Sequence, residues 1–327
     1  AIDYHQEALQ IFTGLQDQQK AAIGDTQMFL ARAYLKKKDA ATAQRYLTDA
    51  LQNYEQSVGL QHPVVAEAKS LVGDAYLQVL EYDKALEAYQ MALACFSPQY
   101  DVGALNTFPD KNELRLDRRL ISSLEKKARA LRTRFDQSQN PEDLRLALSN
   151  LKFAAELVDS MRIVYVQEGS TYNSLRDHLS VYEEAIGVIR QLYEIEEDAG
   201  LLETAFYMSE RSKSLQLLAA LREGEARKFS AVPDSVLQRE KKLMVELAHY
   251  ESKAHESGEV QEQWRDKAFS TKQSYDSLLQ NMALHYPDYH ALKYQADVVS
   301  IAQLQNGLLA DDEMLLSYLY GDSSIFL

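Results

Sequence analysis

The chain has 327 residues, with 35 Lys and Arg against 49 Asp and Glu, so its formal charge is −14. That balance argues against nucleic acid as a partner, because phosphate contacts need clustered cations. Twelve Gly and six Pro fall well below ordinary usage of roughly 7% and 5%, which disfavours a turn-rich β-sandwich or barrel, while a single Cys excludes a disulfide framework and a Cys-rich zinc site.

From the first residues onward the pattern is helical. Ala1-Ile2-Asp3-Tyr4 is already in helical register with the residues after it, and no basic-then-apolar leader is visible. The N-terminus therefore reads as a boundary within a longer protein, and the expected location is cytoplasmic. No apolar run approaches the roughly 18 residues of a membrane span.

Self-comparison gives the strongest signal. Ala8-Leu9 recurs as Ala50-Leu51 and again as Ala92-Leu93, at a constant spacing of 42. Ala31, Tyr34 and Ala43 are matched 42 residues later by Gly73, Tyr76 and Ala85. Small residues at these positions let two antiparallel helices approach closely, and the tyrosine fills the space between them. Turn residues fall at Lys38-Asp39 and at Glu81-Tyr82-Asp83, while Gly59 and Pro63 mark the break between one helix pair and the next.

Beyond Ser97 a connection of about a dozen residues runs to Asp110, with Pro98, Gly103 and Pro109. Helices are then expected over Leu114–Arg134, over Leu144–Arg162 with Pro141 as its opening residue, over Leu175–Glu197 and over Leu201–Arg222. Pro233-Asp234 starts a polar helix to about Ser257, and another covers roughly Glu259–Leu284; together they predict an antiparallel helical hairpin. Met314 to Leu319, a turn at Tyr320-Gly321-Asp322-Ser323, and Ile325-Phe326-Leu327 read as a β-hairpin whose sheet partners lie outside this chain.

The repeat resembles the tetratricopeptide repeat. Its best-fitting unit is Leu71-Val72-Gly73-Asp74-Ala75-Tyr76, then Tyr82-Asp83-Lys84-Ala85, then Tyr89 and Ala92-Leu93. The 42-residue period, with Gly59-Leu60-Gln61-His62-Pro63 between pairs, is similar to the longer repeats of kinesin light chains. The expected fold is all-α: a right-handed superhelix of repeats over residues 1–97, degenerate repeat pairs over 98–224, a polar hairpin over 225–292, and a short β-hairpin within 293–327. In such arrays the first helix of each pair lines a groove for a partner protein or peptide. By the resemblance, Asp25, Met28, Arg32 and Leu35 face it from one repeat, and Glu67, Ser70, Asp74 and Leu77 from the next. Asp25, Glu67 and Asp74 make that face acidic and favour a basic or neutral partner.

Four later segments, in order, resemble bacterial proteins that join tetratricopeptide repeats to a CHAT domain, a caspase-like peptidase fold. They are Ala205-Phe206-Tyr207-Met208-Ser209-Glu210-Arg211-Ser212-Lys213-Ser214 with Leu217-Leu218, then Val232-Pro233-Asp234, then Tyr286-Pro287-Asp288-Tyr289, then Ile301 to Gln305 with Leu315-Leu316-Ser317-Tyr318 and Ile325-Phe326-Leu327. The resemblance implies a last repeat, lead-in helices and the start of the peptidase domain over residues 293–327, with that domain as a partner in cis. The family's catalytic His-Gly and Cys lie further downstream. Here no His precedes a Gly, and Cys95 ends a repeat helix, so this chain is expected to be no enzyme and to take no cofactor. The alternative is a self-assembling scaffold with no regulatory role.

Glu246 and His249 sit three apart on a helix, and His285 and His290 flank Pro287; neither pair makes a metal site without more ligands. Lys111–Arg134 holds nine basic residues against three acids, so its local charge is +6. Arg115, Arg118, Arg119, Lys126, Lys127 and Arg129 are its core. The patch reads as a solvated or acid-paired helix face, with Tyr193–Asp198 as one counterpart, or as a surface for an acidic partner. It lacks aromatic residues to stack bases.

Overall fold

A computed structural model describes residues 2–14, 20–97, 100, 102–111, 114, 116–168, 179–224, 232–255, 261–287, 289–290, 298–310, 312–320 and 325–327. The turn residues 321–324 of the expected β-hairpin and Arg115 of the basic patch lie outside them. The fold is an all-α tetratricopeptide-like helical repeat, followed by a helical hairpin and a short β-hairpin.

The chain divides into two units. The first takes residues 1–157 and 184–201. Its helices are α1 (Ile2–Gly14), α2 (Lys20–Lys36), α3 (Ala40–Ser57), α4 (Pro63–Gln78), α5 (Tyr82–Ala94) and α6 (Arg118–Ser138), with most of α7 (Pro141–Glu168) and α8 (Leu179–Glu196). α2 packs on α3, α3 on α4 and α4 on α5, the nearest-neighbour order of a solenoid.

The repeat extends to the turns. Each first helix ends on one residue with positive φ, namely Lys38 at 63°, Leu80 at 62° and Gln139 at 55°. A left-handed residue there terminates a helix by returning its amide to an earlier carbonyl. Lys38 bonds Leu35 O and Leu80 bonds Leu77 O, again 42 residues apart. The next helix starts at once: the Asp39 carboxylate accepts from Thr42 N, and before α4 the His62 ring accepts from Val64 N with Pro63 as first helical residue.

The small residues among the 42-residue matches from Ala31 onward lie in the core, whereas Tyr34 and Tyr76, expected between the helices, are half-buried. Ala31, Ala43, Ala50, Ala85 and Ala92 have no exposed surface. At Gly73 the helices are closer still: a Cβ there would lie 2.5 Å from a Tyr89 ring carbon. Gly24 meets Tyr54 the same way, at 2.8 Å.

The second unit takes residues 158–183 and 202–327. In it the polar hairpin forms as α10 (Asp234–His255) and α11 (Gln261–His285). Val236, Leu237 and Leu243 near the start of α10 cluster with Leu278 and Met282 near the end of α11, so the two helices run antiparallel. Within the same unit α9 (Ala199–Gly224) carries Arg211, which pairs with Asp159. Glu210 Oε1 accepts from Lys213 Nζ at 2.7 Å and from the Ser317 hydroxyl at 2.9 Å, fastening the residues ahead of the β-hairpin. β1 (Leu319–Tyr320) and β2 (Ile325–Phe326) pair antiparallel, Leu319 opposite Phe326 and Tyr320 opposite Ile325.

Candidate protein-interaction face

The first helices of three successive pairs, α2, α4 and α6, are neighbours. The eight groove candidates fall on α2 and α4, and most are engaged within the chain. Asp25 is exposed and accepts from Tyr54 OH at 2.7 Å. Met28 and Leu35 are buried. The buried Ser70 hydroxyl meets that of Ser123, on α6, at 2.7 Å. Leu77 is half-buried.

Two of the three acidic residues, Glu67 and Asp74, are paired with cations, while the exposed Asp25 accepts only from the neutral Tyr54 hydroxyl. Glu67 holds Arg32 from α2 through one oxygen and Arg119 from α6 through the other, the latter at 2.9 Å. Asp74 accepts from Tyr89 OH at 2.8 Å and from Lys126 Nζ at 2.6 Å. The basic helix therefore supplies counterions for the acidic one across the inter-repeat boundary, and this stretch of the face is close to neutral. Of the basic patch, Arg118 is exposed, Arg129 pairs with Glu184, and Lys127 is buried. The expected counterpart, residues 193–198, contributes differently: its Glu196 pairs with Arg145 of α7.

Arg32, Glu67 and Arg119 are each about one-third exposed, so an isolated pair would contribute little to stability. Glu67 serves two arginines, however, and Glu67→Gln leaves these cations facing each other. The expected loss is about 1 kcal/mol at low salt, shrinking in molar salt, read by denaturant titration. A loss independent of salt would show that packing, not charge, is the role of Glu67.

What the face offers a partner is a stripe on α2 at positions 25, 29, 32 and 36. Phe29, 47% exposed, is its apolar centre. His5 of α1 stacks on that ring at 5.2 Å, and the Arg32 guanidinium sits over it at 5.5 Å. Sequence reasoning missed Phe29 because the family pattern marks neighbouring positions. The helical spacing from Asp25 to Arg32, with an exposed aromatic between them, was the available signal.

Cys95 is buried, and desolvation pushes its thiol pKa up, the opposite of an activated nucleophile. His249 meets the Trp264 ring edge-on at 6.0 Å, and Glu246 lies 3.8 Å from Lys242. His285 Nδ1 lies 3.0 Å from the Asn281 carbonyl. Among the described residues no cluster of His, Cys, Asp or Glu is suited to a metal ion, and no helix is long and apolar enough to cross a membrane.

The comparisons with known proteins agree with this geometry over the first helix pairs. No curated protein matches the chain. The family model of the tetratricopeptide repeat matches residues 22–97, the stretch from α2 to the end of α5 that carries the 42-residue period, so this segment has the fold of a non-enzymatic, protein-binding repeat.

Proposed function

We propose that this chain is a protein-recognition arm, binding a protein or peptide along the α2–α4–α6 face. The observation that carries this is the exposed Phe29, flanked by His5 and Arg32, on the first helix of a segment matched by the tetratricopeptide repeat. Exposed aromatics beside an arginine are the usual anchors of protein interfaces. Because Glu67 and Asp74 are already paired, the partner is recognised more by apolar and aromatic contact than by complementary charge. Capture of a partner that is lost on Phe29→Glu tests this reading.

The finer proposal is that the arm regulates a caspase-like peptidase in cis. What supports it is the order of the four segments between Ala205 and Leu327 that resemble the entry into a CHAT domain, with residues 293–327 as its beginning. A partner bound to the repeats would act by shifting their docking on that domain, through a difference in affinity for two states. In a longer protein carrying the domain, deleting residues 1–97 is expected to change cleavage of its substrate. Equal cleavage with and without the repeats would sink this proposal while leaving the binding role intact.

A further inference from the structure

The connection between the second and third helix pairs is held by a buried lysine. Lys127 of α6 has no exposed surface, yet its Nζ donates to the Leu105 carbonyl at 2.7 Å and to the Gln90 Oε1 of α5. The Phe108 ring lies 5.6 Å away and accepts the same charge on its face. Gln90, also buried, carries the hold outward: its amide nitrogen lies within reach of Tyr100 OH, of the Ala104 and Thr107 carbonyls at 3.3 Å, and of Thr107 Oγ1, and donates its two protons among them. Tyr100 OH in turn donates to the Thr107 carbonyl at 2.8 Å. Phe108 then stacks on Phe153 of α7 at 4.7 Å, and Lys111 pairs with Glu156. One lysine and one glutamine thus organise Tyr100 and the stretch from Ala104 to Phe108 over the junction of α5 and α6.

The partners of Lys127 are all neutral. From α5 it meets an amide, and from the connection a carbonyl, an aromatic face and, through Gln90, the Tyr100 hydroxyl; among the described residues no carboxylate from these elements pairs with it. A buried ammonium without a counterion is costly, because its charge loses water and gains only dipoles. Most buried lysines of folded domains are paired. Desolvation alone pulls Lys127 down to about 7, from 10.5 in water.

We propose that Lys127 is a proton-operated latch on this connection: charging the amine favours release of Tyr100 and residues 102–111 from the α5–α6 junction, and neutralising it favours their closure. The direction follows from linkage. With the connection released, Lys127 reaches water and binds its proton up to about pH 10.5, whereas in the closed form it loses the proton near 7. Between these values the released form holds more protons, so closure strengthens as pH rises, by up to roughly tenfold per pH unit. Below 7 both forms are charged and the dependence flattens. The latch lies between two repeats, so it sets whether the α5–α6 junction and the Phe153 face of α7 are covered, independently of what binds at Phe29.

The test is amide hydrogen exchange on the whole chain from pH 6 to 9, corrected for intrinsic exchange. The expected result is protection at Ala104–Phe108 that rises severalfold or more per pH unit above 7, while α2–α5 stay level. In Lys127→Met the dependence should vanish at the connection. Since that variant could fail to fold, ¹³Cε NMR of lysine-labelled wild type gives the second reading, with Lys127 titrating near 7. A Lys127 midpoint above 9.5, a flat profile at Ala104–Phe108 in wild type, or the same slope throughout α2–α5 would overturn the latch.

Discussion

Gly73→Ala is expected to lower stability by about 2 kcal/mol, although alanine is the better helix former. The substitution gains about 1 kcal/mol of helix propensity. Against this, the new methyl would lie 2.5, 2.7 and 2.8 Å from three carbons of the Tyr89 ring. That ring has no exposed surface, and its hydroxyl is bonded to Asp74, so it cannot swing aside as an exposed chain end could. Overpacking costs about 1–3 kcal/mol and more in severe cases, and contacts this short with a ring that cannot move put it at about 3 kcal/mol, since the α4–α5 pair must part to relieve them. Gly14→Ala is the matched control, since nothing lies within 4 Å of a Cβ there. Thermal unfolding followed by circular dichroism should show a clear fall in midpoint for Gly73→Ala and none for Gly14→Ala. An unchanged or raised midpoint for Gly73→Ala would mean that the pair is not packed through this glycine.

The repeat was legible because its signal is local and repeated. Small residues at Ala31 and Gly73, at Ala43 and Ala85, and at Ala50 and Ala92 sit 42 apart, and each is buried where two helices meet. The breaks were legible in part: Asp39 read as a turn and Pro63 as a break between pairs, and both stand at helix starts, whereas the left-handed turn at Leu80 carries no glycine to announce it. Helix limits after residue 100 shifted by up to six residues, the helix expected to end at Arg162 running on to Glu168. The expected start at Leu114 moved to Arg118, where Asp117 caps by accepting from Arg119 N.

The interaction face was half legible. Spacing placed Glu67, Ser70 and Asp74 on one side of α4, and their contacts with Arg119, Ser123 and Lys126 do lie on one side. The pairing itself was hidden, because it joins residues 52 or 53 apart across an irregular connection that breaks the period. The acid-paired reading of Arg119, Lys126 and Arg129 was open from composition, but their partners on α4 and α8 follow only from packing. Lys127 could not be foreseen, since in a run of nine cations nothing marks the one that turns inward.

These pairings also decide how binding has to be probed. Reversing charge at Glu67 or Asp74 disturbs the contacts that hold α4 to α6, so lost binding in such variants would report on folding. Phe29 and Arg118 are exposed on α2 and α6, and neither is a member of the ladder of Arg32, Glu67 and Arg119, although the Phe29 ring lies under the Arg32 guanidinium. Met91, 41% exposed on α5, is the control on a second helix of a pair. The most direct measurement is therefore affinity capture from the source cell with the wild-type chain, Phe29→Glu, Arg118→Glu and Met91→Glu side by side, each first shown to be folded. The expected result is a protein held by the wild type and by Met91→Glu, lost with Phe29→Glu and weakened with Arg118→Glu. Equal capture by all four, or a partner lost only with Met91→Glu, would contradict the α2–α4–α6 face as the site of recognition.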